Sequence, residues 1–283
     1  MSPRAKTWTK RVVAGVFVLG SFAAIWAFLV EPRRLVVHAH DLALPGWPRE
    51  QAPLRVALVS DLHVGSPHWG ADRLPVLVEA VNATQPDVVL LAGDYMIDGV
   101  KLGTKTPPEA IAQGLAGLRS RHGTIAVLGN HDWWNDGARV RRAFEAEGIV
   151  VLENEVRTFV HEGRPVTVAG LADTMTRSPE PDATFARAPA GPVIALVHEP
   201  DIFRFDVGAR PSITLAGHTH GGQVWVPFLG HPVIPSDYGQ RYAGGHVVEE
   251  GRHLFVTTGV GTSIYPVRFG VPPEIALLTL RGE

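Results

Sequence analysis

The chain contains no cysteine. Disulfides and thiolate metal ligands are excluded, so any metal must be held by His, carboxylate or amide groups. There is no excess of either charge: 26 Lys+Arg stand against 28 Asp+Glu, a formal net of −2. A nucleic-acid-binding surface needs a basic excess or a basic face, and neither is visible, so no nucleic-acid partner is expected. No internal repeat, low-complexity tract or linker divides the chain after its N-terminal segment. That part, at this length, reads as one domain with a sizeable core.

The N-terminus is different material. Residues 12–30 are nineteen positions without a charge, long enough to span a bilayer core as a helix. Trp8 and Trp26 stand near its ends, where interfacial aromatics belong. Arg4, Lys6, Lys10 and Arg11 precede it, and Glu31, Arg33 and Arg34 follow. The apolar stretch exceeds a signal-peptide core and no A-x-A cleavage pattern follows it, so a retained anchor is expected. Residues 1–34 then form a tail and membrane anchor, and residues 35–283 the folded domain. The positive charges favour a cytoplasmic N-terminus, a single pass through the inner membrane and a domain outside.

Five short apolar runs each stop against a metal-capable side chain. They are 54–60 before Asp61-Leu62-His63, 88–93 before Asp94, 124–129 before Asn130-His131-Asp132, 193–197 before His198, and 212–217 before His218-Thr219-His220. Runs of this length rich in Val, Ile, Leu and Ala are strands buried on both faces. Open α/β folds place their sites at the carboxyl ends of such strands. Helical spacing is expected over 71–84, 107–119 and 138–147, and further strands at 35–44, 156–160, 166–169, 246–248, 254–257 and 275–280.

Taken singly, each motif has an ordinary reading. D-x-H is a surface loop, a strand-end Asp a cap, and Asn-His-Asp an Asx-type turn. Jointly they have one chemistry. Asp61 and His63, at i and i+2 of an extended segment, point the same way. The two oxygens of Asp94 can bridge two cations, as paired metals require. Asn130 offers a neutral oxygen, with Gly129 permitting a sharp turn before it. His131 is near the ions and free to protonate a leaving group. His218 and His220, hemmed by glycines, let backbone approach ions closely. Trp133 and Trp134 read as packing, as do the eight remaining His as surface or packing residues.

The order D-x-H, G-D, G-N-H-D, lone His, G-H-x-H resembles that of calcineurin-like metallophosphoesterases, over residues 54–283. Gly217-His218-Thr219-His220-Gly221-Gly222-Gln223, with Gly259-Val260-Gly261-Thr262-Ser263 and Pro266-Val267-Arg268-Phe269, is similar to a bacterial membrane-anchored subgroup. That subgroup includes YaeI-like and YkuE-like phosphodiesterases and a UDP-2,3-diacylglucosamine pyrophosphatase. The resemblance implies a four-layer α/β/β/α sandwich with two divalent metals, Mn, Fe or Zn. Asp61, His63, Asp94 and His220 would hold one metal. Asp94, Asn130, His198 and His218 would hold the other. His131 would protonate the departing oxygen, and Asp132 would orient His131 or brace its loop.

The function expected is a membrane-anchored, metal-dependent phosphodiesterase with a lipid-linked or envelope substrate. UDP-2,3-diacylglucosamine is the specific candidate. That lipid is made in the cytoplasm, whereas the charge bias puts the domain outside. The alternative is an outward-facing phosphoesterase acting on phospholipids or cell-wall phosphates. An inactive binding scaffold is the remaining possibility, and a full set of ligand positions argues against it.

Overall fold

The structure is a computed structural model that describes residues 3–204 and 211–283, and side chains from Trp8 onward within the first helix. The apolar runs form strands. In chain order these begin with β1 (Val36–Leu44), β2 (Leu54–Val59), β3 (Val88–Ala92), β4 (Thr124–Val127) and β5 (Val150–Val151). Next come β6 (Glu155–His161), β7 (Arg164–Gly170), β8 (Val193–Leu196), β9 (Ile213–Ala216), β10 (Gly245–Glu249) and β11 (Arg252–Val256), and β12 (Glu274–Gly282) ends the set. They make two six-stranded sheets, ordered β1-β12-β2-β3-β4-β5 and β10-β11-β9-β8-β7-β6. The ligand-bearing strands are parallel neighbours within each sheet: β2, β3 and β4 in one, β8 and β9 in the other.

Alternation along the strands builds three cores and hence four layers. Val56, Leu58 and Leu90 meet Val168, Leu196 and Leu215 between the sheets. Their neighbours Ala57, Val59 and Leu91 face outward under helices. With both faces covered, the ligand-bearing strands carry no polar alternation, which is why they read as continuous apolar runs. The helices over the first sheet are α2 (Leu74–Ala83), α3 (Pro108–Leu115) and α4 (Asn130–Ala146), following the N-terminal α1 (Pro3–Ile25). Leu77, Val81, Ile111, Leu115, Val140 and Phe144 are their buried side chains. The second sheet's outer face is covered by α5 (Pro181–Ala186) and the turn Pro200–Arg204, through Phe185 and Phe203.

The α1 helix is, among the described residues, the one helix long and apolar enough to cross a membrane. Its apolar side chains are exposed, Phe17, Leu19 and Phe22 among them. A π-helical turn, Trp26–Val30, joins it to the rest. That junction is tied down. Arg268 N donates to Ala27 O at 3.0 Å, Trp69 Nε1 to Pro32 O at 2.9 Å, and Gly270 N to Glu31 Oε2 at 3.0 Å.

Candidate metal centre

All nine predicted site residues come together where the carboxyl ends of β2, β3, β4, β8 and β9 converge. Asp61, His63 and His220 lie in one group whose ligand atoms are within 4.8 Å of each other, and Asp94, His198 and His218 in another. Asp94 stands between them. Its Oδ2 is 3.6 Å from His63 Nε2, 3.2 Å from His198 Nε2 and 3.9 Å from His131 Nε2. Asn130 Oδ1 is 3.1 Å from His198 Nε2.

The backbone is more contorted than an extended D-x-H implies. Asp61, His63, Asp94, His218 and His220 all have positive φ, from 41° to 70°. Asp61 and His63 therefore converge through two left-handed residues, not through the alternation of a strand. Non-glycine residues at positive φ are uncommon and cluster where function over-determines the backbone. Cross-strand hydrogen bonds hold them there. Asp61 N donates to Gly93 O at 2.9 Å, His63 N to Asp94 O at 3.0 Å, and His218 N to the Asp61 carboxylate at 3.0 Å.

Gly129 also departs from expectation. Its backbone is extended, with φ −104° and ψ 179°. The reason for glycine there is space: an added Cβ would collide with Asp94 Oδ1 and lie 2.8 Å from the His198 ring. Asp132 acts as a brace. Buried completely, it accepts hydrogen bonds from Gly129 N, Asp94 N, Tyr95 N and Met96 N, all near 3.0 Å. No hydrogen bond joins it to the His131 ring, whose buried Nδ1 has no partner. Trp133 packs against the helix core, as expected of it. Trp134 does not: half-exposed, it meets the edge of His131 at 4.9 Å between ring centres.

The donor set fits two cations. His63 Nδ1 lies 3.0 Å from Met96 O and His198 Nδ1 2.7 Å from Ala92 O, so each ring donates there and turns Nε2 inward as an acceptor. His63 Nε2 then faces His220 Nε2 at 3.1 Å, and His198 Nε2 faces His218 Nδ1 at 3.2 Å, with carboxylate and amide oxygens close by. Inward-facing acceptors of this kind call for a cation or a proton between them. Electrostatics agree. Burial pushes His63 down to about 3 and His218 to about 4, the latter helped by His198, and burial takes His220 well below its ordinary value. Burial pushes Asp61 up to about 7, and burial plus the Asp94 charge does the same to Asp132. Burial opposes ionisation of Asp94 and His198 too, but their mutual attraction wins, lowering Asp94 and raising His198. Mostly neutral imidazoles are the form metals bind, and a divalent cation would displace the remaining proton.

One residue with no role assigned from sequence supports the centre from below. Arg268 is fully buried, and burial lowers its guanidinium to about 10. It donates to the carbonyls of Thr258, Gly259, Gly261 and Val271 at 2.7–3.1 Å. This locks the loop whose Gly259 packs against Asp61 so closely that a Cβ would lie 2.7 Å from the Asp61 Cβ. Its sequence signal is an arginine set among Gly, Pro and apolar residues after the last glycine pair.

A family model described as calcineurin-like phosphoesterase matches residues 54–232. An uncharacterized metallophosphoesterase, YkuE, of Bacillus subtilis is 30% identical over 260 residues, 91% of this chain and 89% of that protein. The phosphodiesterase YaeI of Escherichia coli is 29% identical over 257 residues, covering 88% and 90%. A Danio rerio transmembrane protein with a metallophosphoesterase domain is 30% identical over 261 residues, 85% of this chain and 56% of that protein.

Proposed function

This chain belongs to the calcineurin-like phosphoesterase family and is a metal-dependent phosphoester hydrolase, and we propose that it is anchored in a membrane and cleaves a phosphodiester or pyrophosphate carried on a lipid or in the envelope. One observation carries the placement. Val36, where the N-terminal segment enters the first sheet, pairs with Glu274, and Ala276 pairs with Leu58. The register sets Val36 and Glu274 beyond the carboxyl end of β2, the same end as Asp61 and His63. An anchor leading into that end holds the site close to the bilayer.

In this reading Asp61, His63, Asp94 and His220 hold one cation, and Asp94, Asn130, His198 and His218 the other. When bound, the two cations would activate water and neutralise charge on the phosphoryl oxygens. The protein's own contribution is to keep His63, His218 and His220 neutral, to aim His63 and His198 through Met96 O and Ala92 O, and to keep water out of a buried ligand shell. His131 is the site histidine outside both ligand sets. From the cleft edge its Nε2 would deliver a proton to the leaving oxygen. Asp132 fixes the backbone on which Asp94 and His131 stand.

UDP-2,3-diacylglucosamine is the specific candidate for a cytoplasmic face, and envelope phosphates or phospholipids for an outward face, which the N-terminal charges favour. Purified full-length protein with Mn²⁺ is offered both classes, with a topology reporter fused at the C-terminus. Release of UMP together with a cytoplasmic reporter selects the first. Hydrolysis of a phospholipid diester with an external reporter selects the second. Activity confined to small soluble esters would remove the lipid assignment.

A further inference from the structure

Six apolar side chains stand in solvent on loops that lead away from the metal-centre residues. Phe228, Leu229 and Val233 protrude from the loop that follows His220, Ile264 and Tyr265 from the loop that follows Gly261, and Leu102 from the loop that follows Asp94. Phe228 is completely exposed and Leu102 is 88% exposed. Water is a poor environment for such a cluster, and apolar patches of this kind mark contact surfaces.

The three loops form one rim. Lys101 N donates to Ile264 O at 2.8 Å, Ser263 N to Gln223 Oε1 at 2.7 Å, and Trp225 N to Phe269 O at 2.7 Å. The rim is also continuous with the base of α1. Phe269 lies between Arg268 and Gly270, whose amides bind Ala27 O and Glu31 Oε2. Around that base, Arg34 lies over the Trp26 ring at 5.4 Å, and both side chains are exposed. An exposed indole paired with a cation is suited to the headgroup layer, where the ring lies at the boundary and the charge meets lipid phosphates.

We propose that this rim is a second membrane contact, with the six side chains seated in the headgroup–acyl boundary of the bilayer that α1 crosses, so that the metal cleft opens onto lipid headgroups. The occupant follows from continuity: whatever surrounds the end of α1 meets the rim first. The substrate class follows as well. A phosphoester on a membrane lipid enters the cleft sideways, its acyl chains staying in the bilayer. The proposal rests on the reading of α1 as an anchor and goes beyond it, since an anchor alone does not fix how the domain leans.

The absence of native cysteine makes the test clean. Full-length single-site variants Phe228→Cys, Ile264→Cys, Phe22→Cys and Val160→Cys each carry one environment-sensitive fluorophore. They are reconstituted into phosphatidylethanolamine–phosphatidylglycerol vesicles containing lipids with a nitroxide high on the acyl chain. Phe22 reports the anchor. Val160, exposed in β6 opposite Pro165 at the start of β7, lies at the end of the sheet remote from the site. The expected result is loss of fluorescence at 22, 228 and 264 with none at 160. Quenching at 22 without quenching at 228 and 264 overturns the rim contact and leaves the anchor standing. No quenching at 22 overturns both. Rim probes shielded from aqueous iodide yet untouched by the lipid nitroxide reveal a protein cover and overturn the lipid assignment.

Discussion

Asp94 and His131 face each other across less than 4 Å of the site, yet their substitution should fail in different ways. Asp94 is the ligand proposed to be shared by both cations, so Asp94→Ala should abolish metal-dependent hydrolysis while circular dichroism stays native. Near wild-type turnover with both metals retained would dismiss the bridging role. His131 is assigned a proton, so His131→Asn should lower kcat by about 10²–10⁴-fold with metal content unchanged by elemental analysis. The loss should shrink for a nitrophenolate leaving group, which departs without a proton. Equal losses for good and poor leaving groups would end the general-acid role, and loss of a metal would make His131 a ligand. The identities of these side chains were legible in the sequence because each directly follows a buried strand. Their left-handed backbones were not, since nothing in an Asp or His announces a positive φ. The purpose of Gly129 was hidden for a related reason: the space it leaves is for His198, a residue far away in sequence.

The strands were more legible than the helices. Burial on both sheet faces prints an unbroken apolar run, whereas β5, two residues long, leaves no pattern. The α3 helix stops at Leu115 rather than near 119, with Gly114 and Gly117 lowering helix stability there. The α4 helix starts at Asn130, well before the expected 138, because its first turns are polar site residues without an apolar period. Asp136 interrupts it at φ −162° and accepts from Arg139 N, so the segment expected from 138 does begin at a cap. A longer-range tie is testable by pH. His38 Nδ1 meets Glu274 Oε2 at 2.8 Å, joining β1 to β12, and Glu274 also accepts from Thr257 Oγ1. The hydrogen bond to Glu274 raises His38 above 6.5. Burial works against the Glu274 carboxylate, but the bonds from His38 and Thr257 hold it below 4.5. The carboxylate's contribution is present above 4.5 and lost as pH falls through its lower folded value. The imidazolium's contribution is present below 6.5 and lost as pH rises through its higher folded value. Glu274→Gln should therefore depress Tm most between pH 4.5 and 6.5. The deficit should narrow on both sides, and should persist in part at high pH because Thr257 still binds the carboxylate. A deficit independent of pH would show that the pair does not titrate with folding.

Residues 12–30 give the length of a span, and the register of β1, β12 and β2 gives its direction of entry into the domain. Neither gives the side of the membrane, which rests on Lys10 and Arg11 before the span against Arg33 and Arg34 after it. A spanning helix is held by apolar burial and not by charge, so the protein should stay in the membrane fraction through high-salt washing. With the N-terminus inside, protease added to intact spheroplasts should digest the domain from its outer face. Arg33 and Arg34 lie at the junction, where Arg73 Nη2 donates to Arg33 O at 3.3 Å and Arg34 covers Trp26. Arg34 cannot be replaced without losing its contact with Trp26, so the charge bias is better shifted from the other end. Replacing Lys10→Glu and Arg11→Glu together should let Arg33 and Arg34 dominate and produce a protease-protected fraction of inverted molecules. Full protection of the unaltered protein, with digestion only after lysis, would reverse the orientation. The cleft and its apolar rim would then face the cytoplasmic leaflet, where a UDP-linked lipid is available, and the proposed closeness of the site to the membrane would be unchanged, because the register of β1, β12 and β2 is the same on either side.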